Sequence, residues 1–135
     1  MNVIGAIKTT PTAAEMETTG LVQQLYRARF GVTPVEVTGD LRPLDVSAAL
    51  SEDARALTLA VVNPTDEARR LQLKIAGGAL AGSGQRWVIT GKDRWAHNRP
   101  GVPRGVDIRT EAVEGVQEGA EVGPLSVTLY SLWLR

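Results

Sequence analysis

From Gly31 onward the apolar residues recur every second position instead of every third or fourth, and no helical stretch interrupts the pattern before the chain ends. Val35 and Val37 open it, and Val46, Ala48 and Leu50 continue it between Pro43 and Ser51. Leu57–Asn63 is a β-rich run stopped by Pro64-Thr65-Asp66, after which Leu71, Leu73 and Ile75 alternate with Arg70, Gln72 and Lys74. These two runs are expected to pair as a hairpin. Gly77-Gly78 through Gly84 reads as a flexible loop, Trp87–Thr90 as a short strand, and the stretch from Gly91 to Gly105, with its two prolines, as a long irregular connection. Asp107–Glu114 is a further strand, and Leu125–Leu134, apolar on both faces, is expected to lie centrally. About seven short strands with turn signals between them predict a mainly β domain, an antiparallel β-sandwich of jelly-roll-like form, over residues 32–135.

Residues 1–31 have a different character. One helix follows Thr18 and Thr19, either of which suits an N-cap, and carries Leu21, Val22, Leu25, Tyr26 and Phe30 along one stripe. Gly31 is the expected C-cap, Arg27 and Arg29 sit where the helix dipole favours positive charge, and Pro34 prevents continuation. Ahead of the helix the apolar run Asn2-Val3-Ile4-Gly5-Ala6-Ile7 has no earlier segment to pair with, so residues 1–31 are expected to be the end of a larger domain. An apolar helix stripe without its partner forfeits about 1.5–3 kcal/mol per large side chain, and dimerisation, aggregation or disorder of this part is the expected consequence.

Composition narrows the function. A chain of 135 residues can bury a core but is too short for a complete (β/α)8 barrel. Fifteen Lys and Arg against fifteen Asp and Glu leave no basic block to follow phosphates, so nucleic acid is not an expected partner. With no cysteine and the single His97, a structural zinc site is not expected either. There is no basic, long-apolar leader pattern at the N-terminus and no window of about 20 apolar residues. Asn63 is followed by proline and cannot be a glycosylation acceptor. A cytoplasmic location without membrane association is the expectation.

Several segments, taken in order, resemble the C-terminal region of glycoside hydrolase family 51, the α-L-arabinofuranosidases. They are Asn2-Val3-Ile4, Lys8-Thr9-Thr10, Phe30-Gly31, the run Leu57–Pro64, Asn98-Arg99-Pro100-Gly101 ahead of Val106, and Pro124–Tyr130. The resemblance implies that residues 1–31 are the terminal loop and α-helix left over from a (β/α)8 catalytic barrel and that residues 32–135 are the C-terminal sandwich. It also implies a parent enzyme that releases terminal α-L-arabinofuranosyl residues with retention, in L-arabinose metabolism and hemicellulose degradation. That chemistry uses two glutamates on barrel strands, and a substrate-contacting glutamine just before the Asn-Val-Ile run; this chain has no counterpart of any of the three. The implied partners are the catalytic barrel of the parent enzyme, or a second copy of the chain, and an arabinose-containing oligosaccharide.

The residues themselves offer little catalytic chemistry. Glu15 with Glu17, Glu52 with Asp53, and Glu111 with Glu114 read as solvated surface charge, not as the matched acid and nucleophile of a glycosidase. His97 near Asp93 lacks a nucleophile in a recognisable turn. Gly82-Ser83-Gly84 lacks the third glycine of a dinucleotide loop, and Gly91-Lys92 is followed by Asp93 where a phosphate loop needs Ser or Thr. Among the tryptophans, Trp87 and Trp133 lie in strands and read as core. Trp95 lies in a polar loop with Lys92, Asp93, Arg94, His97, Asn98 and Arg99, an arrangement suited to stacking on a sugar ring. Trp95 and Asn98 are therefore the candidate substrate contacts, and no catalytic residue, metal or cofactor is expected.

Overall fold

The computed structural model describes residues 5–135; Asn2-Val3-Ile4 lie outside the described residues. The chain is mainly β and antiparallel. A short hairpin, β1 (Ile7–Thr9) and β2 (Ala14–Met16), leads into the helix α1 (Thr18–Arg29). There follow β3 (Thr33–Val35), β4 (Asp45–Leu50), β5 (Ala56–Asn63), β6 (Arg69–Leu71), β7 (Leu80–Thr90), β8 (Ile108–Glu114), β9 (Ala120–Val122) and β10 (Ser126–Leu134). Six of these strands form one sheet in the order β3-β4-β5-β10-β7-β8, and β6 with β9 forms a second, two-stranded sheet.

The large sheet is buried on both faces, because period-two alternation sends consecutive apolar residues to opposite sides. Leu57, Leu59, Val61, Tyr130 and Leu132 point to one side and meet Ala120 and Val122 of β9 together with Leu80 and Val116. This is the sandwich core. Ala60, Trp87, Ile89 and Leu129 point to the other side, where Leu21 and Leu25 of α1 and Val106 pack on them. β10 lies between β5 and β7, as its two-sided apolar character requires.

Four expectations need correction. The run Leu57–Asn63 does not form a hairpin with the segment that returns after Pro64. β5 pairs with β4 and β10, whereas Arg69–Leu71 crosses to the other layer and pairs with Ala120–Val122. A strand buried at every position but Val62 needs neighbours on both edges and layers on both faces, which a surface hairpin does not supply. Nor is the glycine-rich stretch up to Gly84 a loop throughout. β7 begins at Leu80, and a Cβ at Gly84 would stand 2.2 Å from the Ser131 carbonyl oxygen, so glycine lets β7 approach β10.

The helix ends are the third correction. Glu17, not Thr18 or Thr19, is the N-cap, its carboxylate accepting from the Thr18 N–H at 2.8 Å. The C-cap is Phe30 in extended conformation. Gly31 instead gives the chain room to cross the sheet, since a Cβ there would fall 2.3 Å from the Leu50 carbonyl oxygen, and its N–H donates to Thr58 Oγ1 at 2.9 Å. Finally, Trp133 is 53% exposed while Trp87 is buried. Trp133 falls on the helix side of β10, paired with Ala56, but outside the cluster that α1 covers.

The apolar stripe of α1 is not left bare. Leu21 and Leu25 are fully buried against the large sheet, and Val22, Tyr26 and Phe30 pack at the margin of the same cluster. Arg29 lies over the Trp87 ring, 5.0 Å from its centroid, closing the C-terminal end of the contact with a cation–π interaction. Among the described residues no helix is long and apolar enough to cross a membrane.

Candidate functional site

Residues 91–107 join β7 to β8 without regular structure, so their backbone polar groups must find partners outside a ladder. Asn98 supplies three of them. Its side chain is 1% exposed. Nδ2 donates to the Met16 carbonyl at 3.2 Å and the Val106 carbonyl at 2.8 Å, and Oδ1 accepts from the Gly105 and Val106 N–H groups at 3.1 and 3.0 Å. Both amide hydrogens and both carbonyl lone pairs are used. Asn98, expected to touch substrate, has nothing left to offer a sugar; it is the internal strut of the loop.

Glu17 connects that strut to the helix and the β1–β2 hairpin. Its Oε1 accepts from the Thr18 and Asn98 N–H groups at 2.8 and 3.1 Å, and its other oxygen is paired with Lys8. Burial alone raises a carboxyl pKa, but here the Lys8 ammonium and the two amide donors outweigh it and hold Glu17 down at about 2. Arg104 adds a second tie, reaching Glu15 at 2.8 Å and Asp107 at 2.9 Å. The signal for these ties was the polar sequence itself, read as a solvated surface when part of it is internal.

Trp95 stands at the opposite extreme, 78% exposed at the tip of the same loop. Asp93 Oδ1 accepts from the Trp95 N–H at 2.8 Å and fixes the turn that presents the ring. His97 Nδ1 lies 2.8 Å from the Trp95 carbonyl, and Arg99 Nε donates to His97 Nε2 at 2.8 Å, so the ring is tied at both nitrogens. A cavity of about 410 Å³ opens beside them, walled by Lys92, His97, Arg99, Val102 and Pro103. The structure thus keeps Trp95 with Lys92, His97 and Arg99 and withdraws Asn98 from the group.

The acidic pairs are not brought together as a catalytic couple. Glu17 and Glu15 are committed to Lys8 and Arg104. Asp53 accepts from Ser51 Oγ at 2.6 Å and from the Arg55 N–H at 3.1 Å, a turn contact that lowers its pKa. Glu111 sits across from Arg86, whose guanidinium lies 2.6 Å away, while Glu114, three positions on, projects from the other side of β8. Asp93 and His97 each contact Trp95 or Arg99 and not each other. No group of three His, Cys, Asp or Glu able to hold a metal occurs among the described residues.

The site therefore sits on a two-layered antiparallel fold with a helix on the outer face of its large sheet. No protein-family model matches the sequence, and no curated protein matches it. Solved structures do match. The α-L-arabinofuranosidase of Thermotoga maritima, solved as an arabinose complex, overlays 98% of this chain with a TM-score of 0.81 and 22% identity. The family 51 enzyme of Thermotoga petrophila RKU-1 overlays 96% with 0.77 and 21%, and the arabinose-bound family 51 enzyme MgGH51 overlays 98% with 0.80 and 17%. The chain spans 32%, 32% and 22% of those proteins respectively. Its fold is that of the part of these α-L-arabinofuranosidases that it overlays.

Proposed function

We propose that this chain is the accessory part of an α-L-arabinofuranosidase-like glycoside hydrolase and braces a catalytic barrel without cleaving sugar itself. The observation that carries this reading is the overlay of nearly the whole chain on about a third of the Thermotoga maritima enzyme. Supporting it, retaining hydrolysis needs two carboxyls about 5 Å apart, one protonated and one ionised. Here at least one acid of each sequence pair is held by a neighbour: Glu17 by Lys8, Glu15 by Arg104, Glu111 by Arg86 and Asp53 by Ser51. Parent activity, release of terminal α-L-arabinofuranosyl residues, then belongs to a barrel joined to or assembled with this chain.

Two measurements test the proposal. Purified chain supplied with an aryl α-L-arabinofuranoside is expected to give no turnover, and an antibody against it is expected to precipitate arabinofuranosidase activity from extracts of the source cells. Turnover by the chain alone, or precipitates without that activity, would overturn it.

A second reading is favoured by one feature, the exposed Trp95 beside its cavity. In it the loop binds an arabinose-containing oligosaccharide, the ring stacking on Trp95 with Lys92, His97 and Arg99 bonding its hydroxyls. Titration of arabino-oligosaccharide should then change tryptophan fluorescence in a Trp133→Phe background and leave a Trp95→Phe, Trp133→Phe chain unchanged. Equal responses from both chains would dispose of the stacking role.

A further inference from the structure

At the open end of the sandwich, on the side of the large sheet away from the helix, a second cavity of about 340 Å³ lies between β7, β8 and the turn that joins β9 to β10. Arg86, Lys92, Arg109, Glu111, Glu121 and Thr128 line it. Lys92 and Arg109 also line a neighbouring cavity of about 450 Å³, so these two cations stand on the wall that both cavities share. Neither Lys92 nor Arg109 has an ion-pair or side-chain hydrogen-bond partner among the described residues.

The other wall accepts hydrogen bonds. Arg86 engages Glu111 through Oε2 alone, Nε at 2.7 Å and a terminal nitrogen at 2.6 Å, which leaves Oε1 open. The Glu121 carboxylate makes no contact with a cation among the described residues, since it is the Glu121 backbone carbonyl that accepts from Tyr130. Thr128 adds an independent sign. Its hydroxyl is buried and makes no hydrogen bond among the described residues, a state that costs a folded protein stability unless something satisfies it. A turn about χ1 exchanges its methyl and hydroxyl positions, and Thr128 is part of the cavity wall.

We infer that this cleft binds a small hydroxylated carboxylate, a sugar acid in chemical class. The carboxylate lies between Lys92 and Arg109, the ligand hydroxyls donate to Glu111 Oε1 and Glu121, and Thr128 bonds from the floor. A simple anion leaves those two carboxylates unused and is repelled by them. A neutral sugar leaves both free cations unmatched. Only a molecule with an anionic end and a hydroxylated end answers both walls.

The test titrates D-glucuronate into the full chain while backbone amide signals are followed by NMR. Shifts are expected at Val88, Lys92, Arg109 and Thr128, with D-glucose and sulfate each binding about tenfold more weakly or less. Arg109→Gln and Lys92→Gln should each weaken glucuronate about tenfold, and Thr128→Val should weaken it too while a thermal melt shows the variant folded. The inference is overturned by an absence of shifts at about 10 mM glucuronate, a concentration that would report even very weak binding. Sulfate binding as tightly as glucuronate, shifts confined to the Trp95 loop, or wild-type affinity in Arg109→Gln would overturn it equally. Lys92 borders both cavities, so the two sites are told apart by the others: shifts at Arg109 and Thr128 report on the cleft, and shifts at Trp95 without them report on the sugar-stacking reading.

Discussion

Asn98 and Trp95 stand three positions apart in one loop, and their surroundings give them opposite work. Replacing Asn98 by Ala takes their side-chain partner from the buried Val106 N–H and carbonyl and from the Gly105 N–H and Met16 carbonyl, and about 3 kcal/mol of stability should be lost, read from a urea midpoint. Trp95→Ala, at an exposed tip, should stay within about 0.5 kcal/mol of wild type. Similar losses from both would mean that the loop is not organised around Asn98. Sequence alone could not separate them, because both lie among charged neighbours and polarity does not say which amide is internal. A prolonged stretch without ladder hydrogen bonds is the physical hint that some polar side chain must be spent inward. Glu17 gives the residue scale a pH signature. Its folded pKa, about 2, lies below the ordinary 4.5, so the contribution is complete above pH 4.5 and is lost as pH falls toward 2. That shift corresponds to about 3 kcal/mol. Urea midpoints measured from pH 6 to pH 2 should fall more steeply for wild type than for Glu17→Gln. Parallel slopes would remove the carboxylate from the account.

At the scale of elements, α1 owes its place to tertiary contact more than to its own propensity, since it has only 12 residues and a glycine at position 20. Leu25→Ala should cost about 2–5 kcal/mol, and hydrogen exchange of α1 amides should slow to the level of β5 and β10. Fast exchange throughout the helix, with Leu25→Ala near neutral, would mean that the helix is not docked on the sheet. Gly31→Ala should also destabilise, by about 1–3 kcal/mol, because its methyl meets backbone at Leu50 and not a side chain that can turn away. Which elements were readable follows from how local their signals are. β4, β5 and β10 were legible from alternation and two-sided apolar character, and α1 from its stripe. The pairing of Arg69–Leu71 with Ala120–Val122 was not, because three-residue strands about fifty positions apart carry no local register signal. The partner of the helix stripe was equally hidden, since a 3.6-residue period says that a face is buried and not against what. For the same reason Trp87 and Trp133 looked alike in sequence; only the reach of α1 over the sheet decides which is covered.

For the whole molecule the question is whether residues 1–31 and 32–135, which the sequence divides by its change of period, are separable. The two apolar clusters lie on opposite faces of the same strands, and β5, β7 and β10 contribute to both. Removing residues 1–31 therefore uncovers the face that carries Ala60, Trp87, Ile89 and Leu129 without touching the sandwich core on the other side. It also strips Thr58 Oγ1 of the Gly31 N–H and Asn98 of its Glu17 and Met16 contacts. Each large apolar side chain left bare forfeits about 1.5–3 kcal/mol, and a handful of them approaches the 5–15 kcal/mol by which domains of this size are stable. Residues 32–135 alone should accordingly aggregate or unfold well below the full chain, whereas the full chain should lose its Trp87 fluorescence and its far-ultraviolet circular dichroism in one coincident transition. If the shorter chain were monodisperse in gel filtration and unfolded at the same urea concentration as the full one, the helix would be a bystander to the sandwich. The division at Gly31 would then mark a true domain boundary, and the helix would await burial against a partner; one coincident transition is what the packing of Leu21 and Leu25 on the large sheet leads us to expect.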